Sequence, residues 1–181
     1  RGAQLRGAQL AWADFSHAVL ADADLHAIRE ALADALGVPL PQVVIKLRRR
    51  QRGSSQYERL ADDAPSFTVS ERGLRFEVNL RRYLDTGLFL DHRDTRQWVR
   101  EHAAGRTFLN LFAYTGSATV YAAKGGAVAT RTVDLSEKYL VRAQANLALN
   151  GFGGSPHRFT EADCLQWLRS CQDRYGLIFV D

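Results

Sequence analysis

Four positions in the second half of the chain carry residues suited to chemistry at strand ends: Gly116, Asp134, Asp163 and Asp181. Gly116 closes the run FLNLFAYTG, where a residue without a Cβ lets backbone come close to a ligand. One glycine is not the G-x-G-x-x-G dinucleotide fingerprint, and the spacing does not favour cradling a pyrophosphate. Asp134 ends the run TVD, eighteen residues beyond Gly116, where a carboxylate can accept hydrogen bonds from both hydroxyls of a ribose. Asp163, in EADCLQWL, reads singly as a helix N-cap. Taken together with Gly116 and Asp134, it reads as an acceptor for an adenine amino group. Asp181 ends LIFVD, at the place where a cofactor's reactive end would meet an acceptor.

Ribose and adenine contacts without a pyrophosphate cradle point to S-adenosylmethionine rather than NAD. A second stretch, YLDTGLFLDHR (residues 83–93), mixes apolar residues with Asp85, Asp91 and Arg93 in a way no simple amphipathic element explains.

The elements that must position these residues follow from periodicity. Residues 24–36 have Leu25, Ile28, Leu32 and Leu36 at helical spacing and stop at Gly37. Residues 43–47 are β-rich, and residues 67–69 and 74–78 form a hairpin around Glu71, Arg72 and Gly73. Beyond residue 82 the rhythm becomes an alternation. Helices are expected at 95–103, 117–124, 136–149 and 163–171, and strands at 107–112, 128–133, 158–160 and 177–180. That order predicts an α/β fold, a Rossmann-like parallel sheet with ligands at the C-terminal strand ends. Ahead of it come an irregular N-terminal segment (1–23) and a small α+β subdomain (24–82). In the first twenty-five residues Ala recurs every fifth position, with Leu or Phe two places later, as in pentapeptide-repeat solenoids. So short a run cannot bury a solenoid core by itself.

Composition narrows the class. Of 181 residues, 46% are hydrophobic and 24% charged, ordinary values for a packed domain. No apolar run is long enough to span a bilayer, and a cytoplasmic protein with no membrane partner is expected. The two cysteines, Cys164 and Cys171, match no zinc spacing. The formal charge of +4 is modest, but Lys46, Arg48, Arg49, Arg50 and Arg52 lie within one short run. That run reads equally as a phosphate-contact patch and as a solvated strand end.

Six motifs in order, VNLRRYLDTGLFLDHR, FLNLFAYTGSATV, TVDLSEKYL, NLALNG, ADCLQWL and LIFVD, closely resemble the C-terminal, guanine-N7 half of the bacterial bifunctional large-subunit ribosomal RNA methyltransferases. The likeness runs from about Asp24 to Asp181 and takes in KLRRRQRGSSQYERL as the family's basic stretch. The resemblance implies a class I S-adenosylmethionine-dependent enzyme acting on 23S ribosomal RNA, with a guanine-N2 half upstream. It implies that Asn110, Phe112, Tyr114 and Gly116 line the methionine end of the cofactor, that Asp134 holds the ribose, and that Asp163 and Cys164 flank the adenine. Phe89, Asp91 and Arg93 would cover the cofactor, Asp181 would stand at the catalytic centre, and the Lys46–Arg52 run would hold RNA. The family's Pro-Pro-Thr-Phe-like run after the last aspartate is not in this sequence, so a truncated, inactive fragment is expected. The rival readings are a cytosine-C5 enzyme, which needs a cysteine nucleophile, a non-catalytic RNA-binding remnant, and an NAD-dependent oxidoreductase.

Overall fold

The computed structural model describes residues 25–46, 65–82 and 85–181. The described residues fall into two compact units, 25–46 and 65–66 with 79–82 and 85–86 in one, and 67–78 with 87–181 in the other.

In the first unit, α1 (Leu25–Leu36) ends at Gly37, whose φ of 62° lets the chain turn back. A short 3-10 turn (Leu40–Gln42) follows, built on Pro39 and Pro41. Arg29 of α1 donates to the carbonyls of Val43 (2.8 Å) and Leu40 (2.9 Å). The strand expected at 43–47 does not form over 43–46, and Leu47 lies outside the described residues. β-branched residues need a neighbouring strand to pair with, and here the Val43 carbonyl is taken by a side chain. The N-terminal segment 1–23 and the arginines of the basic run also lie outside the described residues.

The second unit opens with the expected hairpin, β1 (Phe67–Glu71) and β2 (Leu74–Val78), turned through Arg72 and Gly73 at positive φ. Leu74, Phe76 and Val78 are buried against Val120, Tyr121 and Leu147. That apolar face is why the hairpin groups with the sheet.

After α2 (Arg93–His102) come β3 (Thr107–Leu111), α3 (Ser117–Lys124), β4 (Ala129–Asp134), α4 (Glu137–Leu149), β5 (His157–Glu161), α5 (Cys164–Ser170) and β6 (Leu177–Val180). The four strands form a parallel sheet in the order β5-β4-β3-β6, the Rossmann-like arrangement expected. The chain runs β3, β4, β5 to one side and returns to place β6 on the other side of β3. The C-terminal ends of β3 and β6 therefore flank a topological switch point, where open α/β sheets bind ligands. β3 is covered on both faces. Phe108 packs with Val99, Ala118 and Leu177, while Leu109 and Leu111 pack with Val133 and Cys164.

Candidate cofactor site

The loop leaving β3 is built on left-handed backbone. Phe112 (φ 53°) and Tyr114 (φ 50°) take that conformation with full side chains, and Gly116 (φ 67°) follows. Each non-glycine residue of this kind costs about 1–2 kcal/mol and persists only where its surroundings hold it. The holding groups are specific. Phe112 N–H donates to Cys164 Sγ (3.2 Å), Ala113 N–H to the Val133 carbonyl (3.1 Å), and Tyr114 N–H to Asp134 Oδ2 (2.8 Å). Asp134 Oδ1 accepts from Ser136 N–H (2.9 Å). The carboxylate thus ties the loops after β3 and β4 together, and each of its oxygens keeps a further lone pair for a hydroxyl.

Segment 87–92 crosses in front of this loop and is held by its carbonyls. Thr115 Oγ1 donates to Gly87 O (2.6 Å) and Arg96 Nη1 to Phe89 O (2.7 Å). The Phe89 ring lies 5.2 Å from Tyr114, which packs edge-on at 4.5 Å against Tyr139. Arg96 is itself locked in the core. Its Nε and Nη2 reach both oxygens of Glu71 at 2.8–3.0 Å, and Tyr121 Oη donates to the same carboxylate at 2.8 Å. Arg96, Glu71 and Tyr121 are all buried. Burial, then the Glu71 carboxylate, pushes the Tyr121 hydroxyl well above the usual tyrosine range.

A pocket opens between segment 87–92, the β3 loop and the end of β6, lined by Phe89, His92, Asn110, Tyr114, Phe179 and Asp181 among others. Asn110 is 1% exposed, and its Nδ2 donates to Thr119 Oγ1 (2.9 Å), which is paired in turn with Thr132 (2.9 Å). Its Oδ1 has no partner among the described residues. A buried acceptor left open on a pocket wall fits a ligand that brings a donor, as the ammonium of an amino acid does.

Of the residues expected here, Phe89, Asn110, Phe112, Tyr114 and Asp181 are brought together on the pocket wall. Asp134 and Gly116 stand behind it. Gly116 is required by α4, because a Cβ there would lie 2.6 Å from that of Ala143. Asp91 and Arg93 are exposed and stand outside the pocket lining, since the turn before α2 directs them outward. Asp163 caps α5, accepting from Gln166 N–H at 2.9 Å, and is exposed. Cys164 does not open onto the site with it. Its side chain is 2% exposed, turned into the sheet between Phe112 N–H and the Val133 carbonyl, and burial raises its thiol pKa. A thiol so placed is no nucleophile for cytosine-C5 chemistry. Lys46 is half-buried in the first unit, and Arg48, Arg49, Arg50 and Arg52 lie outside the described residues.

His92 and Arg96 are among the pocket residues that escaped the sequence reading. His92 sits between the two residues that were singled out, Asp91 and Arg93. Arg96 has its buried partner, Glu71, twenty-five positions away in the chain, a distance no local pattern spans.

A family model described as S-adenosylmethionine-dependent methyltransferase matches residues 23–178. The chain belongs to that methyltransferase family, and S-adenosylmethionine is its cofactor. A pentapeptide-repeat model matches residues 1–27, the stretch with the five-residue periodicity. Curated relatives named ribosomal RNA large subunit methyltransferase K/L are 56% identical over 159 residues in Allochromatium vinosum and 53% over 154 in Vibrio cholerae. Each alignment covers 85% of this chain and 22% of the relative, so the chain spans about a fifth of their length. Among solved structures, a candidate S-adenosylmethionine-dependent methyltransferase from Streptococcus mutans is 35% identical with a TM-score of 0.61, over 66% of this chain and 33% of that one. A second candidate methyltransferase, solved with SAH, is 27% identical with a TM-score of 0.65, over 86% of this chain and 42% of that one.

Among the described residues no helix of this methyltransferase is long and apolar enough to cross a membrane, and no cluster of His, Cys, Asp and Glu could hold a metal ion.

Proposed function

We propose that this chain serves S-adenosylmethionine-dependent methylation of guanine N7 in 23S ribosomal RNA, in the cytoplasm, as part of a protein with a guanine-N2 half upstream. The observation that carries the reading is the pocket at the switch point, whose lining brings Asn110 and Asp181 together with Phe89 and Tyr114, the Asn110 Oδ1 being buried without a partner among the described residues. The names of the relatives support ribosomal RNA as the substrate, and the likeness to the guanine-N7 half supports N7 as the target.

When bound, the cofactor supplies a methyl group on a sulfonium. Asp134 has lone pairs left for the ribose hydroxyls after its two backbone bonds. Phe89, Asn110, Phe112 and Tyr114 would hold the methionine end, and Asp163 would face the adenine. The carboxylate of Asp181 favours positive charge at the reacting end electrostatically. Guanine N7 offers an in-plane lone pair and needs no deprotonation, so the residues of the site act chiefly by holding nucleophile, methyl and sulfur in line. The target base must be unpaired or drawn out of its helix. Lys46, Arg48, Arg49, Arg50 and Arg52 would contact RNA phosphates.

The test is methyl transfer to 23S ribosomal RNA by the intact protein, followed by mass mapping of the modified base. A methyl group at guanine N7 is expected, and one on cytosine C5 or on no base would refute the reading. Neutralising Arg48, Arg49 and Arg50 together is expected to flatten the dependence of RNA affinity on salt.

A further inference from the structure

His92 stands at the mouth of the pocket on fixed backbone. Its carbonyl accepts the first helical hydrogen bond of α2, from Arg96 N–H at 2.8 Å. The segment leading to it is pinned at Gly87 and Phe89 by Thr115 and Arg96. Its imidazole meets the end of β6 in two ways. The ring stands edge-on to Phe179, with centroids 5.9 Å apart and planes at 87°. Nε2 lies 3.4 Å from Asp181 Oδ1 and 3.8 Å from Asp91 Oδ2. Asp91 is largely exposed, whereas Asp181 and His92 are each about one-third exposed and share the pocket wall. Arg96, the other basic side chain on that wall, is spoken for, with its donors on Glu71 and the Phe89 carbonyl. His92 is therefore the group on the pocket wall that is placed to orient the carboxylate.

The other ring nitrogen adds a second observation. His92 Nδ1 is buried and has no partner among the described residues. An imidazole whose Nε2 faces a carboxylate is fixed in orientation, so its Nδ1 is presented at one place in the pocket wall.

We propose that His92 is a positioning residue for Asp181 in methyl transfer, an inference that rests on the methyltransferase reading of this same pocket. Through Nε2 it holds Oδ1 of the carboxylate, leaving Oδ2 toward the reacting groups. Without it the carboxylate swings freely at the strand end, and in-line geometry suffers while the cofactor's own contacts at Asp134 and Asn110 persist.

The experiment uses the intact protein with His92→Phe, His92→Gln, Asp181→Asn and the double variant His92→Phe/Asp181→Asn. His92→Phe is expected to lower kcat by roughly tenfold to a hundredfold with S-adenosylmethionine affinity unchanged by calorimetry. His92→Gln, which keeps a donor, is expected to recover much of the rate. Adding His92→Phe to Asp181→Asn is expected to cost little more, because a positioning effect vanishes when the positioned group is gone. Additive losses, or a cofactor affinity that falls with kcat, would overturn the proposal. A second readout needs no turnover: the Nε2 resonance of His92 in nitrogen NMR is expected to shift on Asp181→Asn. An unmoved resonance would overturn the pairing directly. A wild-type protein that shows the NMR coupling but methylates no RNA would count against the ribosomal RNA reading and leave the pairing upheld.

Discussion

Replacing Arg96 by Met removes three contacts to Glu71, at 3.0, 2.8 and 2.9 Å, and the 2.7 Å bond to the Phe89 carbonyl. The Glu71 carboxylate, 6% exposed, is then left in the core with the Tyr121 hydroxyl as its side-chain donor. Breaking a buried pair in this way costs about 3–5 kcal/mol, chiefly because a charge is stranded. Replacing both partners, Glu71→Met with Arg96→Met, strands nothing, and such exchanges are often neutral or stabilising by about 1–4 kcal/mol. The single variant should therefore be far less stable than the double, read as the urea midpoint by circular dichroism at constant m-value. Cofactor affinity should behave differently. Both variants lose the Phe89 anchor, so both should bind S-adenosylmethionine more weakly by calorimetry, although the double variant has regained its stability. A single variant within about 1 kcal/mol of wild type would refute the claim that a stranded charge dominates. A double variant that is stable and binds cofactor like wild type would refute the link from Arg96 to the pocket wall.

Further outcomes are expected from the same geometry. Gly116→Ala places a Cβ 2.6 Å from that of Ala143 at a φ of +67°, so the melting temperature should fall by an amount equivalent to roughly 2 kcal/mol or more. An unchanged melting temperature would contradict the close α3–α4 approach. Cys171 should be alkylated by iodoacetamide in the folded protein while Cys164, buried and with a raised thiol pKa, resists until unfolding. Mass mapping of the labelled peptides decides this. Burial lowers the pKa of His157 below its usual 6.5, so the neutral ring is the one the fold accepts. Its contribution is present above about pH 6.5 and is lost as pH falls through the depressed folded value, because the unfolded chain then binds more protons. His157→Gln should therefore flatten the loss of stability between neutral and mildly acidic pH, measured as the urea midpoint across that range.

The sheet was legible because its signals are local. Strand β6 and helix α3 take the bounds that the apolar run LIFV and the Gly125–Gly126 break indicate. The hairpin was visible in its turn residues, whereas the packing of Leu74, Phe76 and Val78 on α3 and α4 is a long-range fact that no local pattern carries. Residues 43–46 show the converse, a strand-like composition with no strand beside it to pair with. At the site, motif and position singled out Asn110, Tyr114 and Asp134, and the fold places them at the C-terminal ends of β3 and β4. The burial of Cys164 was not legible, because a residue one step past an N-cap can point to either side of a helix, and here it points into the sheet. The Glu71–Arg96–Tyr121 network was invisible in sequence, because charged residues on a short amphipathic helix ordinarily face water, and only the fold brings the hairpin's carboxylate to this one.

The most direct test of the account is a calorimetric titration of S-adenosylmethionine into the wild-type protein and into Asp134→Ala. Saturable binding by wild type, abolished in the variant, is expected if Asp134 joins the two loops and receives the ribose. No detectable heat with wild type at millimolar cofactor, or equal affinity in the variant, would contradict the site described here.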